Sequence, residues 1–302
     1  MRKFRTYGEV EHATGSQLLE QVLDQRARLA ERLSGIGTII AIASGKGGVG
    51  KSAVTANLAV ALASRGHRVG VLDADLNGPS LARMLGVRGG RLEDRETGVI
   101  PPTGVGGVRV ISMELLQEGE DAPLRWRDPA SDTFLWQSSM ETTALREFLG
   151  DVDWGDPDFL LIDVPPGTDK IRRLLELVPG IPLVLLVSTP SEISRAVVAR
   201  SVRLVREASA AEIALVENMS GYVCPECGHE HDVFPGDGVR QLSDVADVPV
   251  WARIPFDPVL GRETDLGHPP AGGEGERPAS RALRELAGRV AGAVRAPSGG
   301  AP

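Results

Sequence analysis

The 302-residue chain has little of several things that would assign its class at once. It has only two cysteines, Cys224 and Cys227. Two are too few for a disulfide framework, and these lie too close together in sequence to staple a fold. No uninterrupted apolar run reaches the roughly 18 residues of a membrane span. The basic opening Met1-Arg2-Lys3-Phe4-Arg5 is not followed by the apolar stretch and small-residue cleavage site of a secretory signal. A cytoplasmic protein with no membrane partner is therefore expected. Positive charge is scarce as well, since 33 Lys and Arg stand against 41 Asp and Glu, for a net charge of −8. Without a dense basic stripe, nucleic acid is not expected as a partner. Internal repeats are also missing.

What is present suits one large α/β domain, with 42% hydrophobic residues, 36 Gly and 21 Pro. The most informative segment is Ser44-Gly45-Lys46-Gly47-Gly48-Val49-Gly50-Lys51-Ser52. From Gly45 onward it fits G-x-x-x-x-G-K-[ST]. In such a loop backbone N–H groups cradle phosphates, the late lysine (Lys51) reaches the terminal phosphates, and the hydroxyl (Ser52) joins Mg²⁺. The apolar run 38–43 before it reads as a buried parallel strand, and the Ala-rich stretch 53–63 after it as a helix. That helix adds its N-terminal partial charge and free N–H groups to an anion site. Lys46 is a second lysine, placed where a tight turn does not ordinarily put one.

Further buried strands are expected at 68–73, 107–113, 158–163, 182–188, 212–216 and 248–254, separated by helical stretches such as 191–208. An amphipathic helix is expected within 15–33, carrying Leu18, Leu19, Val22, Leu23, Leu29 and Leu33. Residues 1–34 thus form a helical extension and 35–294 the main domain. The Pro/Gly/Glu-rich stretch 267–277 reads as a loop. A closing helix follows, with Leu283, Leu286, Ala287, Val290, Ala291 and Val294 on one stripe, and 295–302 is expected to be disordered. Strands alternating with helices imply a mostly parallel sheet covered on both faces. Ligands of such sheets bind at the carboxyl ends of the strands, where Gly45, Asp75, Asp163 and Asn218 fall.

Two acidic motifs accompany the loop. Asp163 ends an apolar strand and precedes Val164-Pro165-Pro166-Gly167-Thr168, a setting suited to holding Mg²⁺ through a water and to a nucleotide-sensitive turn. Asp73 and Asp75 flank Ala74, and alternate residues of an extended chain share a face. We assign Asp73 to the metal shell and Asp75 to the attacking water. A third motif, Cys224-Pro225-Glu226-Cys227, is followed by Gly228-His229-Glu230-His231. Paired thiols suit zinc or an iron–sulfur cluster. Four ligands are required, which two chains related by a twofold axis can supply, or Cys224, Cys227, His229 and His231 within one chain. A redox dithiol is a third use, but the strand-to-helix context of such motifs is missing.

Taken together, GKGGVGKS, Asp73 to Ser80 (DADLNGPS), Asp163 to Thr168 (DVPPGT), Val216 to Ser220 (VENMS) and CPEC resemble the Mrp/ApbC family of iron–sulfur cluster carrier ATPases. That family lies within the deviant phosphate-loop class that includes MinD, ParA and the nitrogenase iron protein. The resemblance covers about residues 35–289. It implies a three-layer P-loop NTPase fold and a homodimer that sandwiches two ATP molecules, with Lys46 reaching the partner's phosphates. It also implies a labile [4Fe–4S] cluster bridged by Cys224 and Cys227 of both copies and handed to apo-proteins. The base is expected at Asn218 and at the loop Ile254-Pro255-Phe256-Asp257. Two segments depart from the family pattern: PPGTGD reads Pro165-Pro166-Gly167-Thr168-Asp169-Lys170, and a WRGP-like segment reads Trp126-Arg127-Asp128-Pro129. The competing classes are a spatial-organiser ATPase of MinD or ParA type, which leaves the cysteines unexplained, and a P-loop ATPase with a structural zinc.

Overall fold

A computed structural model describes residues 27–116, 134–224, 226–234 and 238–295. The expected helical residues before 27, the segment 126–133 and the tail 296–302 lie outside them. In chain order the strands are β1 (Thr38–Ser44), β2 (Val69–Asp73), β3 (Glu93–Arg95), β4 (Gly98–Ile100), β5 (Arg109–Ile111), β6 (Phe159–Asp163), β7 (Leu183–Ser188), β8 (Glu212–Val223), β9 (Glu230–His231) and β10 (Val250–Phe256). The helices are α1 (27–34), α2 (Lys51–Ala63), α3 (Leu81–Met84), α4 (Phe134–Asp151), α5 (Thr168–Leu177), α6 (Glu192–Ala208), α7 (Gly238–Ala246), α8 (Pro258–Asp265) and α9 (Pro278–Arg295).

The central sheet runs β10-β8-β7-β1-β6-β2-β5. Every neighbouring pair along this path is parallel. β1, β2, β6 and β7 are buried along their whole length, as strands covered on both faces must be. Their alternate residues feed two separate cores. Ile40 and Ile42 of β1, Val69 and Val71 of β2, and Phe159 and Leu161 of β6 pack with α2, α3 and α9. Ile39, Ala41 and Ala43 of β1, and Leu160 and Ile162 of β6, pack with the layer of α4, α5, α6 and α7. The result is the expected three-layer fold.

This parity positions the site. Counting by twos from the α2 side, Asp73, Asp163 and Asn218 continue the same-face series of Val71, Leu161 and Val216, so each side chain is delivered to the layer in which α2 begins. α2 is apolar almost all round, with Val54 and the residues from Ala56 through Leu62 buried, which suits a helix enclosed between the sheet and α9. The stripe of α9 is buried as expected at Leu283, Leu286, Ala287, Val290 and Ala291.

Four local expectations are corrected. The strand expected at 107–113 is only Arg109–Ile111, because 3₁₀ turns at Val105–Gly107 and Met113–Leu116 bound it. The strand expected to end at 216 continues to Val223, past a left-handed Met219 with φ 57°. The hairpin β3–β4 and the short β9 carry no apolar alternation and were not foreseen. The loop 267–277 contains one 3₁₀ turn, Pro270–Gly272.

Candidate functional site

β1 ends at Ser44 and the chain turns through Gly45–Gly50 into α2. Gly48 and Gly50 have φ of 78° and 79°, the left-handed region that glycine enters without steric cost. Gly50 is constrained further, since a Cβ there would lie 2.3 Å from Nδ2 of Asn218. Gly45 is pressed from α6, where a Cβ would meet Cγ1 of Val197 at 2.5 Å. The loop is thus held between α6 and β8, and its last turn opens directly onto the N-terminus of α2. Backbone N–H groups and the positive end of the helix dipole converge there.

Under this loop lies Asp163, which is fully buried. Its Oδ2 accepts from Lys51 Nζ at 2.5 Å and from Ser52 Oγ at 2.7 Å, and its Oδ1 accepts from Thr55 Oγ1 at 2.7 Å. The sequence reading named Lys51, Ser52 and Asp163 but missed Thr55. The signal was available, because Thr55 lies four residues after Lys51 and therefore one turn along the same helix face.

Asp73 is the register partner of Asp163 on the adjacent strand. Its carboxylate accepts from the backbone N–H groups of Asp75, Ser80 and Leu81 at 3.2, 2.9 and 3.0 Å, and from Ser112 Oγ at 3.2 Å. Burial, then repulsion from Asp163, push its pKa up to about 7 against the lowering effect of those backbone donors and of Lys51. The carboxylate thus ties together the segment 73–81. Asp75 is partly exposed, and its Oδ1 accepts from Gly78 N–H at 3.2 Å. Lys46 is also partly exposed, with Nζ 3.5 Å from Ser191 Oγ just before α6.

On the other flank, Asn218 donates through Nδ2 to the carbonyl of Val49 at 2.9 Å, so β8 braces the phosphate loop. Asp257 caps α8, accepting from Val259 and Leu260 N–H at 2.9 and 3.2 Å, with Pro258 in the first turn and Arg277 3.6 Å away. Its carboxylate is committed to that cap. Pro255 lies in β10, one residue before the exposed Phe256.

Beyond Asn218, β8 outruns β7 and pairs with β9, placing Tyr222 opposite His231 and Val223 opposite Glu230. The turn between these strands is the CPEC segment. Cys224 N–H donates to His229 O at 2.9 Å, Gly228 N–H donates to Cys224 O at 2.8 Å, and Gly228 takes φ 70°. Backbone N–H groups of Cys227 and then Glu226 point at the Cys224 sulfur, and with the Cys227 side chain they lower its pKa. Donors aimed at sulfur favour the thiolate, the metal-binding form. Among the described residues no group of three or more His, Cys, Asp or Glu side chains is arranged to hold a metal ion. His229 and His231 instead meet edge to face, ring centres 4.9 Å apart. The intrachain Cys₂His₂ arrangement is therefore not assembled.

The profile of the ParA family described as NUBPL iron-transfer P-loop NTPase matches residues 35–291. The chain belongs to this iron-transfer P-loop NTPase family. Its curated relatives include iron–sulfur cluster carrier proteins of Saccharolobus solfataricus, 35% identical over 89% of this chain and 88% of the relative. One from Methanocaldococcus jannaschii is 38% identical over 81% of each chain. Among solved structures, the nucleotide-binding protein of Archaeoglobus fulgidus in complex with ADP matches with a TM-score of 0.70, at 34% identity over 85% of this chain and 95% of that one. The cell division ATPase MinD of Pyrococcus furiosus matches at 0.57 and 25% identity, over 85% of this chain and all of that one. The resemblance drawn from the five motifs thus holds for family and fold. No described helix is long and apolar enough to cross a membrane.

Proposed function

We propose that the chain is an ATP-binding and ATP-hydrolysing iron–sulfur cluster carrier. It works as a cytoplasmic homodimer, assembles a bridging [4Fe–4S] cluster on Cys224 and Cys227 of both copies, and transfers it to apo-proteins. The observation that carries this reading is the thiol hairpin. It offers two sulfurs in the turn that follows the strand bracing the phosphate loop, with backbone donors aimed at Cys224, and among the described residues no third His, Cys, Asp or Glu joins them in a metal-holding group. A second copy supplies the other two thiolates. The cluster is cargo, so an exposed hairpin suits it.

At the nucleotide end, the loop from Gly45 to Ser52 cradles the phosphates and Lys51 neutralises the terminal ones. The Ser52 hydroxyl and the Asp163 carboxylate form an oxygen donor set that suits Mg²⁺, with Asp73 behind them. Mg²⁺ bound there supplies charge neutralisation for phosphoryl transfer. Asp75 orients the attacking water, and Lys46 swings from Ser191 toward the phosphates of the partner. Asn218, whose Nδ2 is used on Val49, offers Oδ1 to the base, and Pro255 with Asp257, the cap of α8, shapes the wall beside it.

Anaerobic reconstitution followed by absorption spectroscopy, iron counting and native mass measurement tests the reading. About four iron atoms per two chains are expected. A dimer that takes zinc but never a cluster, or a Cys224→Ala variant that still holds one, sinks the carrier function. Nucleotide-dependent binding to liposomes or DNA by a cluster-free protein would favour the spatial-organiser class instead.

A further inference from the structure

The segment that departs from the family pattern, Pro165 to Lys170, contains a residue in an unfavourable place. α5 starts at Thr168 after Gly167, so Lys170 sits in its first turn, where the helix dipole disfavours a cation. A counter-charge offsets this. Lys170 Nζ bonds the Glu141 Oε2 on α4, and both side chains are largely shielded, with 24% and 18% of their surface exposed. The other oxygen of Glu141, Oε1, accepts from Asn77 Nδ2 at 2.9 Å.

Asn77 belongs to the segment that carries Asp75. Most bonds of that segment close on itself: Gly78 N–H donates to Asp75, and Ser80 N–H to Asp73. The Asn77–Glu141 bond leaves the segment and crosses to the layer of α4 and α5. On the far side of the same bridge, the turn before α5 lies against the phosphate loop. Val164 N–H donates to Ile42 O at 2.9 Å, Gly167 N–H to Ser44 O at 3.4 Å, and Pro166 is the neighbour that a Cβ on Gly47 would meet, at 4.0 Å.

We infer that Lys170, Glu141 and Asn77 form a polar bridge that fixes the Asp75 segment relative to the Asp163 turn. They are positioning residues for nucleotide turnover, acting through Asp75. One carboxylate joins both nucleotide-facing segments, so displacing the turn that starts α5 shifts the acceptor on which Asn77 depends. The lysine that replaces the family's acidic residue at this position is thereby given a local role. The inference rests on the proposal that Asp75 serves ATP turnover, and the test below separates the two.

Hydrogen exchange over residues 75–80 reads the bridge directly, in the full chain and without reference to activity. In Glu141→Ala and in Asn77→Ala, exchange of these amides should rise about tenfold. ATP turnover should fall about 10- to 100-fold, with nucleotide affinity held within about threefold, because the loop and Lys51 are untouched. Lys170→Arg should retain near-normal behaviour and Lys170→Met should not. Lys170→Met combined with Glu141→Ala should cost no more than the worse single change, as members of one bridge do. Unchanged exchange in both Glu141→Ala and Asn77→Ala overturns the bridge, as does full additivity of Lys170→Met and Glu141→Ala. Faster exchange in a protein whose wild type never turns over ATP would uphold the bridge and refute the hydrolytic role of Asp75. Should Glu141→Ala fail to fold, Glu141→Gln keeps the Asn77 acceptor and removes only the charge, and normal exchange near Lys170 would then refute its part.

Discussion

The carboxyl edge of the sheet carries two binding regions built to opposite standards. Around Asp163 the donors are complete: a lysine, a serine and a threonine converge on a carboxylate that has no exposure, and Asn218 fixes the loop above it. Around Cys224 the set is half complete, on a hairpin whose second strand is two residues long and whose Cys227 is exposed. The contrast suits the proposed function. A nucleotide is gripped by groups oriented in advance, so little reorganisation accompanies binding. Under that proposal, a cluster to be surrendered is better served by ligands at the surface, half of them from another chain.

The comparison breaks if damage at one end spreads to the other. The largest effect is expected for Asp163→Ala, which leaves the Lys51 ammonium buried without its partner. It should lower stability by about 3–5 kcal/mol, measured by urea unfolding, and turnover by at least about 10²-fold. Once corrected for the folded fraction, its cluster loading should stay normal. Cys224→Ser should cut loading by at least about tenfold and leave nucleotide affinity within about twofold. A parallel loss of nucleotide binding would show that the regions are not separable.

Lys46→Ala sharpens the contrast within the loop. It should spare most nucleotide binding yet lower turnover by about tenfold, and unchanged turnover would remove the proposed cross-subunit role. The smallest effect concerns pH. The pKa of Asp73, near 7 in the folded chain and near 3.8 when unfolded, means that the folded state binds the extra proton between those values. Nucleotide-free stability should therefore fall as pH rises, by about 1 kcal/mol from about pH 6 to about pH 8. Glu147, raised to about 7 by burial and then by Asp151, acts in the same direction. Asp73→Asn should remove its share of the slope, and a melting temperature flat across that range would contradict the assignment.

Most of the nucleotide region was legible in the sequence, for a definite reason. Strand, glycine loop and helix are contiguous, and strand parity tells which carboxylates face α2. What escaped was set by contacts between distant segments. Lys170 reads as a surface charge until α4 brings Glu141 beside it. That Asp257 also caps a helix, through its bonds to Val259 and Leu260, is visible only once α8 is seen to begin at Pro258. The extra length of β8 was hidden because Gly221 and the polar Asn218 and Ser220 interrupt the apolar run that marked the strand.

That extra length has a consequence of its own. β7 stops at Ser188, opposite Glu217, so β8 from residue 218 onward leaves β7 behind and next pairs with β9, at Tyr222 and Val223. On the other side β10 meets it only through an irregular register, with Ile254 opposite Asn218 and Phe256 opposite Tyr222. The last residues of β8, 219–223, belong to neither of the two cores. The thiol hairpin is thus an overhang on the sheet and no part of its packed interior. Substituting either thiol therefore removes no residue from the two cores, and the sheet beneath should keep its stability.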